Sequence, residues 1–488
     1  MMNTDLTALK PALVWKHFAA MTQIPRPSFH EEEIRRYVLD VARSLGLECR
    51  EDEAHNVYVR KPASKGMEDR MGVILQAHLD MVPQKNNDTT FDFLTDPIRA
   101  YVDGEWVTAD GTTLGADNGI GAAAILAVLE DDTLEHGPLE ALFTATEETG
   151  MVGAFGLKRG LLEGDILLNL DSETEGELYV GCAGGLDANM TFPYAPVPTP
   201  AQGFAAATVT VKGLKGGHSG IQIIAQRANA NKLLFRLLRR WTAAHELLLC
   251  AVDGGGLRNA IPREATAAVL VRAGEFGAFC EEVRAFEALA QAEFAGVEEE
   301  IAIAAQACDR PSEMIPQEVQ ERLIRAVAAC PDGLQRMSLA MPGLVQTSTN
   351  LARVVSDGRS VQLQCLLRSS VNSEKDALGD AIAALFELAG AEVELTGSYD
   401  GWNPDMNSPI LKAMTASYEA LYGRKPAVTA IHAGLECGVI GGTYPQLDMI
   451  SFGPTICYPH SPDERVGIAS VAKFYEFLLH TLKHVPVR

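Results

Sequence analysis

Five residues spread along the chain have the types and settings of metal ligands. They are His78 in Gln76-Ala-His78-Leu-Asp80, Asp117 in Gly115-Ala-Asp117-Asn-Gly119, Glu148 in Thr-Glu147-Glu148-Thr-Gly, Asp171 in Leu-Asn-Leu-Asp171-Ser-Glu, and His460 in Tyr-Pro-His460-Ser-Pro. Imidazole mixed with carboxylate is the donor set that borderline divalent cations choose, zinc above all. Two such cations close together can hold and ionise a water for hydrolysis.

The neighbours of these residues suit the same chemistry. On a strand, residues two apart point to one face, so Asp80 can accept a hydrogen bond from the second ring nitrogen of His78 and fix its tautomer. Glu147 and Glu148 are adjacent, so their side chains diverge and should do different work. One can ligate a cation while the other takes a proton from water. Asp171 ends an apolar run, where a charge is costly without a partner. Asp117 lies among glycines ahead of a helix, a setting that suits a bridging carboxylate and equally a turn or N-cap aspartate. His460 in its loop is uninformative alone. His218, in Gly216-Gly-His218-Ser-Gly220, is either an approachable group that stabilises an oxyanion or part of a flexible turn. The chain contains no HExxH zinc motif, and Gly-His-Ser-Gly is not the nucleophile elbow GxSxG.

These residues need a scaffold. Ser28-Phe-His-Glu31 predicts a capping box opening a helix that carries Ile34, Tyr37, Val38, Val41 and Leu45 and stops near Gly46. Segments 56–61, 72–80, 141–146 and 166–171 read as strands, and 119–130 as a buried helix. Alternating strands and helices predict an α/β domain, a mostly parallel sheet covered by helices on both faces. His78, Glu147 and Asp171 fall at predicted strand ends, where such sheets gather their active sites. After Gly185 the texture changes to α+β, with two units of βαββαβ type that suggest a duplication. From Gly401 the first texture returns. The reading is one α/β catalytic domain, residues 1–185 and 401–488, interrupted by an inserted α+β lid domain at 186–400.

Composition excludes several classes. The net charge is −23 and no basic run tracks phosphates, so nucleic acid is not an expected partner. No segment has the apolar length of a membrane span, and the start of the chain lacks a secretory pattern, so no membrane association is expected and a cytoplasmic location is. Nine scattered cysteines fit a reducing compartment.

Together these motifs resemble the co-catalytic di-zinc peptidase family that includes carboxypeptidase G-like enzymes, tripeptidases and bacterial dipeptidases, over essentially the whole chain. The resemblance implies that His78, Asp117, Glu148, Asp171 and His460 hold two divalent cations, Zn(2+) with Co(2+) or Mn(2+) as substitutes, and that Asp117 bridges them. It implies that Asp80 orients His78 and that Glu147 is the general base. His218 looks like the family's substrate-reaching histidine, and Arg368, in Leu-Leu-Arg368-Ser-Ser, like the arginine that grips a peptide's terminal carboxylate. Asn259 and Gly434 resemble further substrate contacts. The implied reaction is metal-dependent hydrolysis of small unblocked peptides, dipeptides above all, including those ending in histidine and β-alanyl-histidine. The alternative within hydrolases is a deacylase or carboxypeptidase acting on N-acyl amino acids. In shorter relatives a half-size insert pairs with a second subunit, so the longer insert here is expected to supply internally what that partner supplies. A homodimer through other surfaces stays open.

Overall fold

The computed structural model describes residues 5–488. The chain forms two compact units. One comprises Met1–Gly181, Pro404–Ala430 and Leu435–Arg488; the other comprises Cys182–Asn403 and Ile431–Gly434. The second unit is therefore an insertion into the first.

The first unit is built on an eight-stranded sheet. Its order is Glu48–Glu51, Val57–Lys61, Leu139–Thr144, Val73–His78, Ile166–Asn169, Asp448–Ser451, Glu177–Cys182 and Ala427–Ile431. The central four of these, from Leu139–Thr144 to Asp448–Ser451, run parallel. Val57–Lys61 and Glu177–Cys182 join them antiparallel, so the parallel character belongs to the centre. Every residue of Val73–His78 and Ile166–Asn169 is buried, as continuous apolar runs in a covered parallel sheet require. Helix Ala116–Glu130 packs on Val73–His78 and on helix Ala12–Met21. It is apolar on all sides, and nearly every residue in it is buried.

The expected capping box does not form. Helix Glu32–Ser44 has no side-chain cap. The Ser28 hydroxyl instead donates to Asp80 Oδ2 at 2.7 Å, and Glu31 Oε1 accepts from the Thr146 hydroxyl at 2.6 Å. The buried groups at the carboxyl end of the sheet need partners more than exposed helix amides do.

The inserted unit is a duplication. One half has the order strand Phe204–Lys212, helix Ala230–Trp241, strands Leu247–Gly254 and Ala265–Arg272, helix Phe276–Glu293 and strand Ala302–Ala307. The other half repeats it with strand Gly184–Pro193, helix Gln317–Ala329, strands Val345–Ser356 and Ser360–Ser369, helix Asn372–Leu388 and strand Glu392–Tyr399. The first strand of the second half thus precedes the whole first half in sequence. In space the two four-stranded orders mirror each other across the Leu247–Gly254/Val345–Ser356 junction. That junction pairs Asp253 with Val355 and Gly254 with Val354. One apolar core, including Phe192, Phe235, Phe279, Phe286 and Phe386, serves both halves.

Strands Gly184–Pro193 and Val345–Ser356 are not marked by local pattern in the sequence. Gln346-Thr-Ser-Thr-Asn350 reads as a polar loop, yet all five residues are buried. Gln346 and Thr347 donate to Glu374 of helix Asn372–Leu388, Ser348 bonds His432 and Asn350 donates to the Ala260 carbonyl, so polarity does not betray a central strand there.

Candidate metal centre

The carboxyl ends of the central parallel strands deliver the predicted ligands. His78 is the last residue of its strand, and Thr144 and Asn169 end the strands that lead to Glu147-Glu148 and Asp171. Asp117 lies in the segment preceding the regular part of helix Ala116–Glu130, and His460 comes from the loop before strand Arg465–Gly467.

The two oxygens of Asp117 face two different histidines. Oδ1 is 3.1 Å from His78 Nε2, and Oδ2 is 3.2 Å from His460 Nε2. His78 Nε2 also lies 3.4 Å from Asp171 Oδ1, and His460 Nε2 lies 3.1 Å from Glu148 Oε1. The five residues therefore divide into two half-sites, His78 with Asp171 and His460 with Glu148, that share Asp117. Donor atoms of His78, Asp117 and Glu148 lie within 4.8 Å of one another. Glu148 Oε1 and Asp171 Oδ1 are buried and make no well-aligned hydrogen bond, each having an imidazole nitrogen as near neighbour, although buried oxygens are normally satisfied. Orphaned carboxylate oxygens beside imidazole nitrogens fit a pair of divalent cations.

The electrostatics agree with that fit. Burial opposes charge on His78, but the Asp171 charge and hydrogen bonds to Asp117, Asp171 and Asp80 outweigh it and raise the imidazole well above its usual range. Hydrogen bonds to Asp117 and Glu148 push His460 up to about 11. Asp117 is buried, yet its bonds from His460 and His78 hold it below the usual carboxylate range. Burial is the main force raising Asp171 to about 7, against the pull of His78. Burial also raises Glu147 well above the usual range; His78 opposes this, while the charges of Asp171, Glu436 and Glu148 add to it. Glu173 and Glu436, two carboxyls that the sequence reading did not single out, are likewise raised by burial to about 7. Carboxyls crowd this region beyond what its few cationic side chains neutralise.

Asp80 does more than face His78. The His78 Nδ1 atom makes its closest bond to the Asp80 backbone carbonyl, at 3.1 Å, with the carboxylate Oδ1 at 3.3 Å. That carboxylate also accepts the backbone N–H of Glu147 at 2.9 Å and of Glu148 at 3.1 Å, besides the Ser28 hydroxyl. One buried side chain thereby fixes both the strand end with His78 and the turn that carries the two glutamates. Glu147 and Glu148 diverge as adjacency requires: Glu148 Oε1 lies 3.1 Å from His460 Nε2, whereas the Glu147 carboxyl feels the charge of His78.

The inserted unit gathers its own polar group. His218 pairs with Ala260, and the Asn259 carbonyl accepts the Ser219 N–H at 2.8 Å. The Asn259 side chain is exposed. Gly220 sits where any side chain would collide with the His432 carbonyl oxygen, His218 and Arg368, at 2.2, 3.0 and 3.1 Å from its would-be Cβ. Arg368 is buried, donates to the Tyr399 hydroxyl at 3.4 Å, and leaves its Nε without a partner. A side chain at Gly434 would meet that same hydroxyl at 3.0 Å. His218 Nδ1 accepts the N–H groups of Gly220 and Ile221, both at 3.1 Å, so its single ring proton sits on Nε2. Burial and the Arg368 charge keep His218 below the usual histidine range, hence neutral. His432, which nothing in the sequence marks, bonds the Ser348 hydroxyl at 2.7 Å, and burial, Arg368 and His218 push it down to about 3.

A family model described as peptidase family M20/M25/M40 matches residues 74–484. A cytosol non-specific dipeptidase of Escherichia coli is 45% identical over 487 residues, covering 99% of this chain and all of that one. This chain belongs to peptidase family M20/M25/M40. Among solved structures, an aminoacylhistidine dipeptidase from Vibrio alginolyticus matches this family member with a TM-score of 0.95 and 46% identity over 99% of both chains. An aminopeptidase PepT from Bacillus cereus shares the fold, with a TM-score of 0.58 at 16% identity, covering 98% of this chain and 99% of that one. Among the described residues, no helix of this M20-family chain is long and apolar enough to cross a membrane.

Proposed function

We propose that this chain is a metallodipeptidase that hydrolyses unblocked dipeptides in a two-metal site formed by His78, Asp117, Glu148, Asp171 and His460, with Zn(2+) as the resident cation. The observation that carries the reading is Asp117 turning one carboxylate oxygen to each of two histidines, each backed by a second carboxylate. Dipeptides are the substrate class because the full-length relatives are dipeptidases.

Cations bound there supply Lewis acidity, which lowers the pKa of a water and draws charge from a carbonyl oxygen. The chain's own residues do the rest. Glu147, next to the ligand Glu148 but outside the ligand set, takes the proton of the attacking water and returns it to the leaving nitrogen. His218, neutral and with its ring proton on Nε2, is the donor we assign to the scissile carbonyl oxygen as charge develops on it. Arg368 offers its unpartnered Nε and remaining fork to the substrate's terminal carboxylate, a match of planar groups. Asn259 and Gly434 line the same group of residues in the inserted unit, and the absence of a side chain at Gly434 keeps space beside Tyr399.

The test is a substrate panel on protein stripped of metal and then reloaded with zinc, cobalt or manganese. Free dipeptides, including histidine-ending ones and β-alanyl-histidine, should turn over only after reloading. Preference for N-acetyl amino acids over free dipeptides would make the chain a deacylase instead.

A further inference from the structure

Four consecutive backbone N–H groups ahead of the Ala116–Glu130 helix converge on one side chain. Glu464 Oε2 accepts from Leu114 at 2.7 Å and Gly115 at 2.9 Å; Oε1 accepts from Ala116 at 2.7 Å and Asp117 at 3.2 Å. Glu464 is buried, and it stands four residues beyond His460. An opposite charge holds the same segment from its carbonyl side. Arg26, also buried, donates through Nη2 to the Gly115 carbonyl at 2.5 Å, and through Nη1 to the carbonyls of Leu79 and Asp80 at 2.8 and 3.0 Å. Two glycines leave room for that guanidinium: a Cβ at Gly115 or at Gly119 would come within 2.6 Å of Arg26 Nη2.

Helix capping does not explain this arrangement. Asp117 and Asn118 have non-helical backbone angles, so the regular helix begins beyond them. The amides held by Glu464 belong to the irregular segment that aims Asp117, and not to the first turn that a cap would satisfy. Through these contacts one carboxylate ties the Asp117 segment to the loop of His460. One guanidinium ties it to the strand end of His78 and Asp80.

We infer that Glu464 and Arg26 are positioning residues that set the placement of Asp117 between the His78 and His460 half-sites, and so the capacity to hold a second cation. The inference rests on the two-metal reading proposed above. It assigns a purpose to the glycines of Gly115-Ala-Asp-Asn-Gly119 and to two buried groups of opposite charge that contact neither substrate nor the reacting atoms. A neutral amide in place of Glu464 offers one acceptor oxygen, so two of the four N–H groups would face an NH2 group.

The experiment is a cobalt titration of metal-free protein, followed by visible absorption, for wild type, Glu464→Gln and Arg26→Lys. Wild type should take two cobalt ions. Glu464→Gln should bind one of them about 10- to 100-fold more weakly, the range typical when a ligand's supporting hydrogen bond is lost, with loss of that ion's share of the spectrum. Arg26→Lys keeps the charge but cannot span both sets of carbonyls, and should show the same split to a smaller degree. If Glu464→Gln merely unfolds at lower temperature and titrates like wild type, Glu464 is a structural cap and the inference is wrong. Hydrogen exchange on the metal-free wild type gives a check that no folding defect can obscure. The amides of Leu114 to Asp117 should exchange slowly, and exchange at the rate of exposed loop amides would overturn the clamp. A wild type that binds fewer than two cobalt ions refutes the two-metal reading itself, and the role of Glu464 with it.

Discussion

Replacing Glu147 by glutamine should separate catalysis from metal binding. The geometry puts Glu148 Oε1 3.1 Å from His460 Nε2, inside the cluster of candidate donors, and Glu147 outside it. The Glu147 backbone is held by Asp80 through its N–H, a bond that the substitution leaves intact. Glutamine keeps the volume and removes only the ability to take a proton. Loss of a positioned general base costs about 10²- to 10⁴-fold in rate. At about 1.4 kcal/mol per decade that is roughly 3–5 kcal/mol of barrier. Steady-state kinetics on a dipeptide should show the loss in kcat, while elemental analysis of the gel-filtered protein should show metal content near wild type. Glu148→Gln is the control: it should lose metal and turnover together, because the amide weakens the half-site that His460 completes. If Glu147→Gln sheds metal and Glu148→Gln retains it, the two roles are exchanged. If both retain metal and activity, neither belongs to the site.

Three further outcomes follow from the inserted unit. His218→Ala should lower kcat about 10²- to 10³-fold, the cost of one lost oxyanion donor, with a smaller change in KM; a change confined to KM would reassign it to ground-state binding. Arg368→Ala should lower kcat/KM on free dipeptides about 10- to 100-fold, as expected for a charge-assisted hydrogen bond, and should not affect the poor turnover of C-terminally amidated dipeptides. Equal losses on both substrates would remove Arg368 from the carboxylate. His432 makes the fold acid-sensitive: its folded value of about 3 lies below the unfolded 6.5, so its stabilising share is full above pH 6.5 and is lost as pH falls towards 3. Between pH 7 and pH 5 that loss is about 2 kcal/mol, and urea unfolding of His432→Asn should show a correspondingly flatter pH dependence than wild type.

Four of the five proposed ligands were legible because each lies at or just past a strand end or in a glycine-bounded turn, and local pattern shows such places; His460, in a loop between Pro459 and Pro462, was legible only through the resemblance. Gln-Ala-His78-Leu-Asp80 announces a strand whose two polar side chains share a face, and Ile-Leu-Leu-Asn-Leu-Asp171 announces a buried strand that ends on a charge. The inserted unit's repeat was legible as an alternation of elements. Its true halves were not, because Gly184–Pro193 belongs with partners more than a hundred residues away and Val345–Ser356 hides a central strand behind polar residues. His432 and Arg26 carry no local mark at all. A histidine before Ala-Gly and an arginine between two prolines look like loop residues until tertiary partners bury them.

The same contrast governs the chemistry. The residues proposed to meet the cations are chosen by donor type, which sequence displays. The residues that hold them still are chosen by what they do to backbone amides far away. Asp80 accepts from the Glu147-Glu148 turn and Glu464 from the Asp117 segment, each across dozens to hundreds of positions. Backbone N–H groups favour the anionic form of a buried carboxylate, although at Glu464 burial outweighs them and raises it above the usual range. Burial would raise Asp80, yet the hydrogen bond and charge of His78 above all, then the Ser28 hydroxyl and the Glu147 N–H, hold it below the usual range. Burial raises Asp171 to about 7 against the pull of His78. In the proposed reading Asp80 and Glu464, which accept backbone amides, build the frame, and Asp171 and Glu148, each with one buried oxygen outside any well-aligned hydrogen bond, are ligands.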